Sequence, residues 1–320
     1  MSGGRGNALV VVNPASAGGR TLTRWPRVDD ALRSSAVDFQ PHMTTAPGEA
    51  TEVVRAALRT GCSLVIVVGG DGTLNEVVNG FFDDTGAAIN ADAELALVPS
   101  GTGGDFRKSV AIPKSVAGCA EVIARGARSQ IDVGRVDFAD GTRRFFINIA
   151  DCGIGGEVVA RVNRSRYKSG GARGTAVFLG QSLAALLSFG GRAVRVTVDG
   201  EVMERHAQSV VVANGRCFGG GMRIAPHAEI DDGHFDVIVV AEMGRMRSIT
   251  SLPALYRGRH LGRRGVEQRR GRVVHIEALA EPLLFDIEGE QVGSTPAMLT
   301  CVPKALWLCV EGPISASRTR

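Results

Sequence analysis

Residues 64–78 read LVIVVGGDGTLNEVV, and this stretch decides the fold of the first part of the chain. An apolar run enters a glycine turn, and residues 74–78 have the character of a helix start. In such a turn, free backbone N–H groups and the positive end of a helix dipole point at the same position. This arrangement favours the binding of a phosphate. Asp71 would meet the Mg²⁺ that accompanies a phosphate. The same pattern is typical of a plain βα turn in which Asp71 or Thr73 caps a helix.

The composition is that of a globular protein with two domains. The chain has 320 residues, of which 44% are hydrophobic and 22% charged, enough for two separate cores. A net charge of +4 and an aromatic content of 5% argue against a nucleic acid partner. The six cysteines include no Cys-x-x-Cys pair, which indicates a reducing compartment. We expect a cytoplasmic protein with no signal peptide, whose membrane contact is peripheral.

The first part of the chain alternates between strand and helix. Strands are predicted at residues 8–12, 37–43, 64–68, 94–98 and 131–136, with helices between them. Small-residue loops at 13–19, 69–73 and 100–105 each follow a strand, so we expect them at the carboxyl edge of the sheet, where ligands bind. Residues 1–136 are therefore predicted to form an α/β domain, a mostly parallel sheet with helices on both faces.

The pattern changes after residue 136. Residues 192–198 alternate between apolar and polar and end at Asp199-Gly200, which indicates a hairpin. Further strands are predicted at 208–213, 235–240, 272–277 and 283–287, and helices at 176–187 and 246–256. Residues 137–302 are expected to form a mainly antiparallel β-sandwich with inserted helices. Residues 303–320 could return to the first domain.

The glycine turn matches neither common nucleotide fingerprint by itself. It lacks the Lys-Ser or Lys-Thr of a P-loop, and Asn75 stands where a dinucleotide fingerprint has its third glycine. Other motifs accompany it: NPASAG (13–18), PSGT (99–102), ANG (213–215), FGGG (218–221) and APHAEIDDG (225–233). Together they resemble the soluble diacylglycerol kinase-like lipid kinases, a family that includes bacterial lipid kinases and sphingosine kinases. The resemblance covers nearly the whole chain and implies a nucleotide domain like that of NAD kinase and phosphofructokinase.

The resemblance implies an ATP site and a structural metal site. The matching ATP positions are Asn13, Pro14, Ala15, Ser16, Ala17, Thr44, Gly69, Gly70, Asp71, Gly72, Thr73, Leu74, Asn75 and Thr102. In relatives an Asp side chain and two backbone carbonyls hold a structural Mg²⁺, and these positions fall on Asp232, Glu229 and His234. Considered without the resemblance, Asp231-Asp232-Gly233 is a turn between strands.

Residues 285–290, FDIEGE, are the predicted catalytic segment. Relatives carry Asp-Gly-Glu here, and the resemblance implies that these acids provide or support the base that takes the proton of a lipid hydroxyl. Glu290 matches and is the first choice; Glu288 is second, because it replaces the usual Asp and its extra methylene moves the carboxylate by roughly 1 Å. Asp286 would share their face on a continuing strand. The alternative is an exposed, charged hairpin turn.

The predicted function is an ATP- and Mg²⁺-dependent kinase for a hydroxyl of a membrane lipid, most like a diacylglycerol kinase of phospholipid metabolism. Two alternatives stay open: a soluble-substrate kinase of the NAD kinase or phosphofructokinase type, and a non-catalytic nucleotide- or lipid-binding relative. The second is suggested by Glu288 and by Gly104, where many relatives carry Asn. A further departure is Ala17 in place of the usual glycine. A homodimer is compatible with the sequence.

Basic residues form two groups that could contact anionic lipid headgroups. One group is Arg257, Arg259, His260, Arg263, Arg264, Arg269, Arg270 and Arg272; the other is Arg161, Arg164, Arg166, Lys168 and Arg173. The alternative is that each is a solvated basic face. The uncharged helix predicted at 176–187 would either line an acyl-chain pocket or pack in the core.

Overall fold

A computed structural model describes residues 5–100, 104–164, 180, 184–185, 188–312 and 314. The chain forms two compact units, Met1–Val133 with Pro303–Arg320 and Gly134–Val302. The first unit thus ends at Val133, where the sequence pattern placed the boundary at 136. The return of residues 303–320 to the first unit is the arrangement considered from the sequence.

The first unit contains a mostly parallel sheet, as predicted. Its elements are β1 (Arg5–Val12), α1 (Arg20–Ser34), β2 (Val37–Met43), α2 (Glu49–Arg59), β3 (Leu64–Gly69), α3 (Asp71–Gly80), β4 (Glu94–Pro99) and α4 (Val116–Arg125). β1 pairs in parallel with β2 and β3, and β3 pairs in parallel with β4. Every residue of β3 is buried, which explains why its sequence is a continuous apolar run rather than an alternating one.

The second unit is built from antiparallel strands, which confirms the predicted class. Its elements are β5 (Arg128–Phe138), β6 (Arg143–Phe146), β7 (Ile149–Gly153), α5 (Ile154–Arg164), β8 (Arg192–Val198), β9 (Glu201–Ala213), β10 (Phe235–Ala241), α6 (Arg245–Tyr256), β11 (Val266–Gly271), β12 (Val273–Ala278), β13 (Leu284–Ile287), β14 (Glu290–Ser294) and β15 (Ala297–Cys309). The strand order is β14-β13-β7-β9-β8-β12-β15, and β10 pairs with both β9 and β11. β5 and β15 each contribute residues to both units.

The predicted hairpin at Asp199-Gly200 joins β8 and β9. Both turn residues have positive φ, 48° and 91°, as a two-residue turn of type I′ requires. The register pairs Val198 with Glu201, and Val194, Val196 and Val198 of β8 are buried in the core. Alternation in the sequence therefore specified both the strand and its buried face.

One expected boundary differs from the structure. α3 begins at Asp71 rather than at residue 74, so the glycine turn itself enters the helix. The apolar runs at residues 298–302 and 306–310 lie on one strand, β15, which continues past Pro303; there the N–H of Lys304 (φ 50°) donates to Asp132 Oδ1 at 2.7 Å. The helix predicted at 176–187 lies largely outside the described residues. Among the described residues, no helix is both long and apolar enough to cross a membrane.

Candidate functional site

The first candidate site lies at the carboxyl edge of the parallel sheet in the first unit. The strand registers align the ends of β1, β2, β3 and β4 side by side. Three backbone hydrogen bonds continue this alignment past the strand ends: Asn13 N to Val68 O (3.1 Å), Thr44 N to Val12 O (2.9 Å) and Ser100 N to Gly69 O (2.9 Å). The loops that follow four different strands are therefore held together, which is where open α/β sheets bind ligands.

The loop after β1 is fixed by the side chain of Asn13. Its Nδ2 donates to Thr73 Oγ1 at 3.0 Å, and its Oδ1 accepts from Ala15 N at 3.0 Å. Pro14 lies inside the turn that this second bond closes. Because Thr73 belongs to the first turn of α3, the Asn13 amide joins the first predicted nucleotide loop to the glycine turn.

The remainder of this loop is a short 3₁₀ segment, Ser16–Gly19. The hydroxyl of Ser16 lies 2.5 Å from that of Thr21, which lies 2.7 Å from the hydroxyl of Ser100. This chain of hydroxyls connects the loop after β1 to the loop after β4. Ala17 has φ 55°, a left-handed conformation that costs a non-glycine residue about 1 kcal/mol. A glycine would adopt this conformation without that cost.

The glycine turn contains two glycines with different structural reasons. A Cβ on Gly69 would lie 2.7 Å from the Cβ of Thr73, so Gly69 is required by the packing of the turn. A Cβ on Gly72 would meet no described atom within 4 Å. Packing against described atoms therefore does not explain why a glycine stands at position 72. This residue lies in the first turn of α3, and the space beside its Cα is open.

α3 presents its amino end at this edge. Gly70 is extended, and the first intrahelical hydrogen bond runs from Leu74 N to Gly70 O at 3.0 Å. The N–H groups that precede Leu74 therefore point out of the helix end, where they can bind an anion. Leu74 itself is fully buried and Asn75 is 4% exposed, so these two predicted positions contribute their backbone and packing.

Two carboxylates meet beside the helix end. Asp71 Oδ2 accepts from the N–H of Asp105 at 3.4 Å, and Asp105 is bound by Lys108 Nζ at 2.6 Å. Burial raises the pKa of Asp71, and the nearby negative charge of Asp105 raises it further. A cation bound here would favour the ionised form of Asp71. Thr102, the remaining predicted ATP contact, lies outside the described residues.

The predicted structural metal site has its carboxylate engaged by a side chain. Asp232 Oδ2 forms an ion pair with Arg270, and Asp232 Oδ1 accepts from His234 N at 3.0 Å. In this arrangement a metal would have to replace Arg270 at Asp232. Across the described parts of the chain, no three side chains of His, Cys, Asp or Glu converge as a metal site. The assignment of Glu229, Asp232 and His234 to a metal therefore stays a prediction.

The acidic segment of the second unit forms a hairpin turn between β13 and β14. Glu288 and Gly289 both have positive φ, 54° and 94°, and Gly289 N donates to Asp286 Oδ1 at 2.7 Å. The chain therefore reverses at Glu288, as in the hairpin alternative considered from the sequence, so Asp286 and Glu290 do not lie on one continuing strand. Glu290 is instead the first residue of β14 and is exposed.

The carboxylate of Glu288 is tied to the backbone. Its Oε1 accepts from Ile147 N at 2.6 Å and from Asn148 N at 2.7 Å. These bonds anchor the turn to the segment between β6 and β7. The side chain of Glu288, one methylene longer than that of an aspartate, reaches both of these N–H groups.

A pair of facing acids, the buried Asp151 and the partly buried Asp286, was not anticipated from the sequence. They are directly opposite each other on β7 and β13. Asp151 is 2% exposed, and its burial, reinforced by the charge of Asp286, raises its pKa well above the usual range. Burial also raises the pKa of Asp286 to about 6, with the charge of Glu290 adding to the effect. Gly155 leaves the necessary room, because a Cβ there would lie 2.2 Å from Asp151 Oδ2.

Comparisons with known proteins agree with both halves of this description. Residues 7–136 match the diacylglycerol kinase catalytic domain, and residues 148–310 match the YegS C-terminal NAD kinase beta sandwich-like domain. A diacylglycerol kinase of Staphylococcus haemolyticus is 27% identical over 314 residues, 96% of this chain and 89% of that protein. One from Staphylococcus aureus is 26% identical over 298 residues, 92% of this chain and 89% of that protein.

A solved structure shows the same fold. The crystal structure of a protein assigned as a diacylglycerol kinase from Bacillus anthracis has a TM-score of 0.75 and 25% identity, and it covers 95% of this chain and 97% of that one. The chain therefore belongs to the soluble diacylglycerol kinase-like family. It is a lipid kinase.

Proposed function

We propose that the protein transfers the γ-phosphoryl group of ATP to a hydroxyl of a membrane lipid, diacylglycerol or a close relative. The observation that carries the proposal is the amino end of α3, which faces open space at Gly72 among the loops that follow four parallel strands. Backbone N–H groups at such a point favour a phosphate. The family supplies the class of reaction, and this geometry supports a triphosphate position at the amino end of α3.

ATP would lie along the loops of the first unit. The N–H groups of residues 70–73 would hold phosphate oxygens, and Asn13 would keep the loop after β1 in position through its bond to Thr73. The buried Thr44 directly follows β2 and lies at the same edge of the sheet. The nucleotide is expected to enter as its Mg²⁺ complex, and Asp71 is the acid of this loop cluster that would face the cation, because Lys108 pairs with the carboxylate of Asp105.

The proton of the acceptor hydroxyl would go to Glu290. Glu290 is exposed at the start of β14, whereas Glu288 already accepts two backbone hydrogen bonds. We therefore assign Glu288 to positioning the turn and Glu290 to the role of general base. No step is assigned to Asp232, because Arg270 occupies its carboxylate.

The substrate lipid fixes the place where the protein works. Diacylglycerol and similar lipids stay in the bilayer, and we propose that the chain binds peripherally to the inner face of the membrane to reach them. The soluble-substrate kinase, considered from the sequence, has lost its support because the two domain matches define the lipid kinase family. The non-catalytic alternative rested on Glu288 and Gly104. The two hydrogen bonds that Glu288 accepts explain structurally why a glutamate stands at this position.

A phosphoryl-transfer assay tests the proposal. Purified protein is incubated with γ-labelled ATP, Mg²⁺ and a panel of acceptors: diacylglycerol, ceramide and a sphingoid base in neutral detergent micelles, with NAD and fructose 6-phosphate in solution. We expect label in a lipid, first of all in diacylglycerol. Label in NAD or in the sugar phosphate, or no transfer to any acceptor, would overturn the proposal.

The assignment of the base has a matched test. Glu290→Gln removes the carboxylate while keeping its shape, and we expect turnover to fall about 10²- to 10⁴-fold with unchanged ATP affinity. Glu201→Gln is the control, because Glu201 is also an exposed first residue of a strand after a two-residue turn. Equal turnover of the two variants would contradict the role of Glu290.

A further inference from the structure

The segment between β10 and β11 carries the positive charge of the chain. Residues 243–266, which begin after Glu242 and end on the first residue of β11, contain six arginines and no aspartate or glutamate. The remainder of the chain has 31 basic and 33 acidic residues and is therefore slightly negative. A net charge of only +4 thus conceals one strongly basic surface segment on an otherwise balanced protein.

The inner side of this segment packs against the rest of the second unit, to which the segment belongs. Leu255, at the end of α6, and Leu261 contact the apolar cluster that includes Ile224. His260 is 5% exposed and its Nε2 donates to Ile224 O at 2.9 Å. His260 therefore anchors the segment, and its membership of the basic group expected from the sequence is wrong for that reason.

The outer side of the segment is exposed and basic, with apolar side chains between the charges. We call it the basic face and define it by Met246, Arg247, Tyr256, Arg257, Arg259, Arg263 and Arg264. Met246 is 74% exposed and Tyr256 48%. Arg247 Nη2 donates to Arg264 O at 3.0 Å, which holds the start of α6 beside the end of the following loop.

The arginines of the basic face differ from those on the neighbouring strands. Arg195 lies 2.7 Å from Glu204, Arg205 lies 2.6 Å from Glu267, and Arg270 pairs with Asp232. Within the described residues, none of the five arginines of the basic face forms an ion pair. Their charge is therefore available to a partner, whereas the charges of Arg195, Arg205 and Arg270 are neutralised in place.

We propose that the basic face docks on an anionic lipid bilayer. Arginines attract anionic headgroups, and a long exposed Met and a Tyr suit the boundary between headgroups and acyl chains. This inference rests on the proposed function, which requires the protein to reach a lipid. A nucleic acid is the less favoured partner, because Tyr256 is the single aromatic side chain of the segment and stacking needs several.

Vesicle sedimentation tests the basic face directly, without ATP or substrate. The protein is mixed with vesicles of phosphatidylcholine alone or with an equal part of phosphatidylglycerol. We expect binding to the anionic vesicles only, and its loss at about 1 M salt, where the Debye length falls to roughly 3 Å. In Arg257→Gln/Arg259→Gln we expect affinity to fall about 25-fold, since each arginine contributes a factor of about five, equivalent to roughly 1 kcal/mol.

The matched control is Arg195→Gln/Arg205→Gln, which makes the same change in net charge on ion-paired arginines of the same unit. We expect this control to bind vesicles like the unaltered protein, and both variants to keep their melting temperature and ATP affinity. Equal binding by the two double variants, no binding of the unaltered protein to anionic vesicles, or preferential retention by single-stranded DNA would overturn the proposal. Vesicle binding without any phosphoryl transfer would contradict the proposed function alone.

Discussion

Gly72 offers a way to separate nucleotide binding from folding. The residue is helical, in the first turn of α3, and a Cβ there would meet no described atom within 4 Å. Substitution with alanine should therefore fit the folded protein. If Gly72 is instead present so that a phosphate can approach the backbone, the methyl group of Gly72→Ala will occupy the place of that phosphate.

The two effects have opposite signs. Alanine is favoured over glycine in a helix by up to about 1 kcal/mol, so the free energy of unfolding of the first unit should stay the same or rise. Hydrogen bonds to a charged group contribute about 1.5–3 kcal/mol. Loss of one such bond to a phosphate raises the dissociation constant for ATP about 10- to 150-fold.

Calorimetric titration with ATP and urea unfolding measure these quantities on one preparation. Gly69→Ala is the contrasting variant, because its Cβ would lie 2.7 Å from Thr73 Cβ; it should lose stability and affinity together. Gly244→Ala is the control, since a Cβ there also meets open space but lies in the other unit. A folded Gly72→Ala that binds ATP as tightly as the unaltered protein would refute the assignment of the phosphate site.

Two further predictions concern the acidic turn. Burial raises the pKa of Asp286 to about 6 from an ordinary 3.8. The contribution of its neutral carboxyl group to the free energy of unfolding is therefore fully present below pH 3.8 and is lost as pH rises through about 6. Asp286→Asn keeps the acceptor for Gly289 N and should raise the free energy of unfolding near pH 7 by up to about 3 kcal/mol, but not near pH 4; an equal gain at both pH values would contradict this. Glu288→Asp withdraws the carboxylate from Ile147 N and Asn148 N and should destabilise the protein by about 2–4 kcal/mol in urea unfolding, more than Glu288→Gln, which keeps an acceptor; the reverse order would contradict the anchoring role.

The parts of the fold that were predictable have short-range causes. A strand buried on both faces must be a continuous apolar run, so β3 was evident. The Asp199-Gly200 turn was predictable from the sequence because aspartate and glycine adopt positive φ at low energetic cost. The loops after successive parallel strands meet at one edge by topology, which is why the proposed phosphate position could be located before any coordinates.

The features that sequence reasoning missed depend on register and long-range contact. β13 and β14 span Leu284–Ile287 and Glu290–Ser294, too short for alternation to decide between a continuing strand and the hairpin alternative that reverses at Glu288. The pairing of Asp151 with Asp286 follows from the register of two strands distant in sequence. The sequence revealed a basic group, but not that His260 is buried or that Arg270 is paired.

The most direct measurement of the central claim compares ADP formed with lipid phosphate formed. The purified protein is supplied with ATP, Mg²⁺ and diacylglycerol in neutral micelles, and both products are quantified over time. We expect one lipid phosphate for each ADP, and no ADP when the lipid is omitted. ADP released without phosphorylated lipid, or neither product with folded protein that binds ATP, would contradict the conclusion that this chain phosphorylates a lipid hydroxyl.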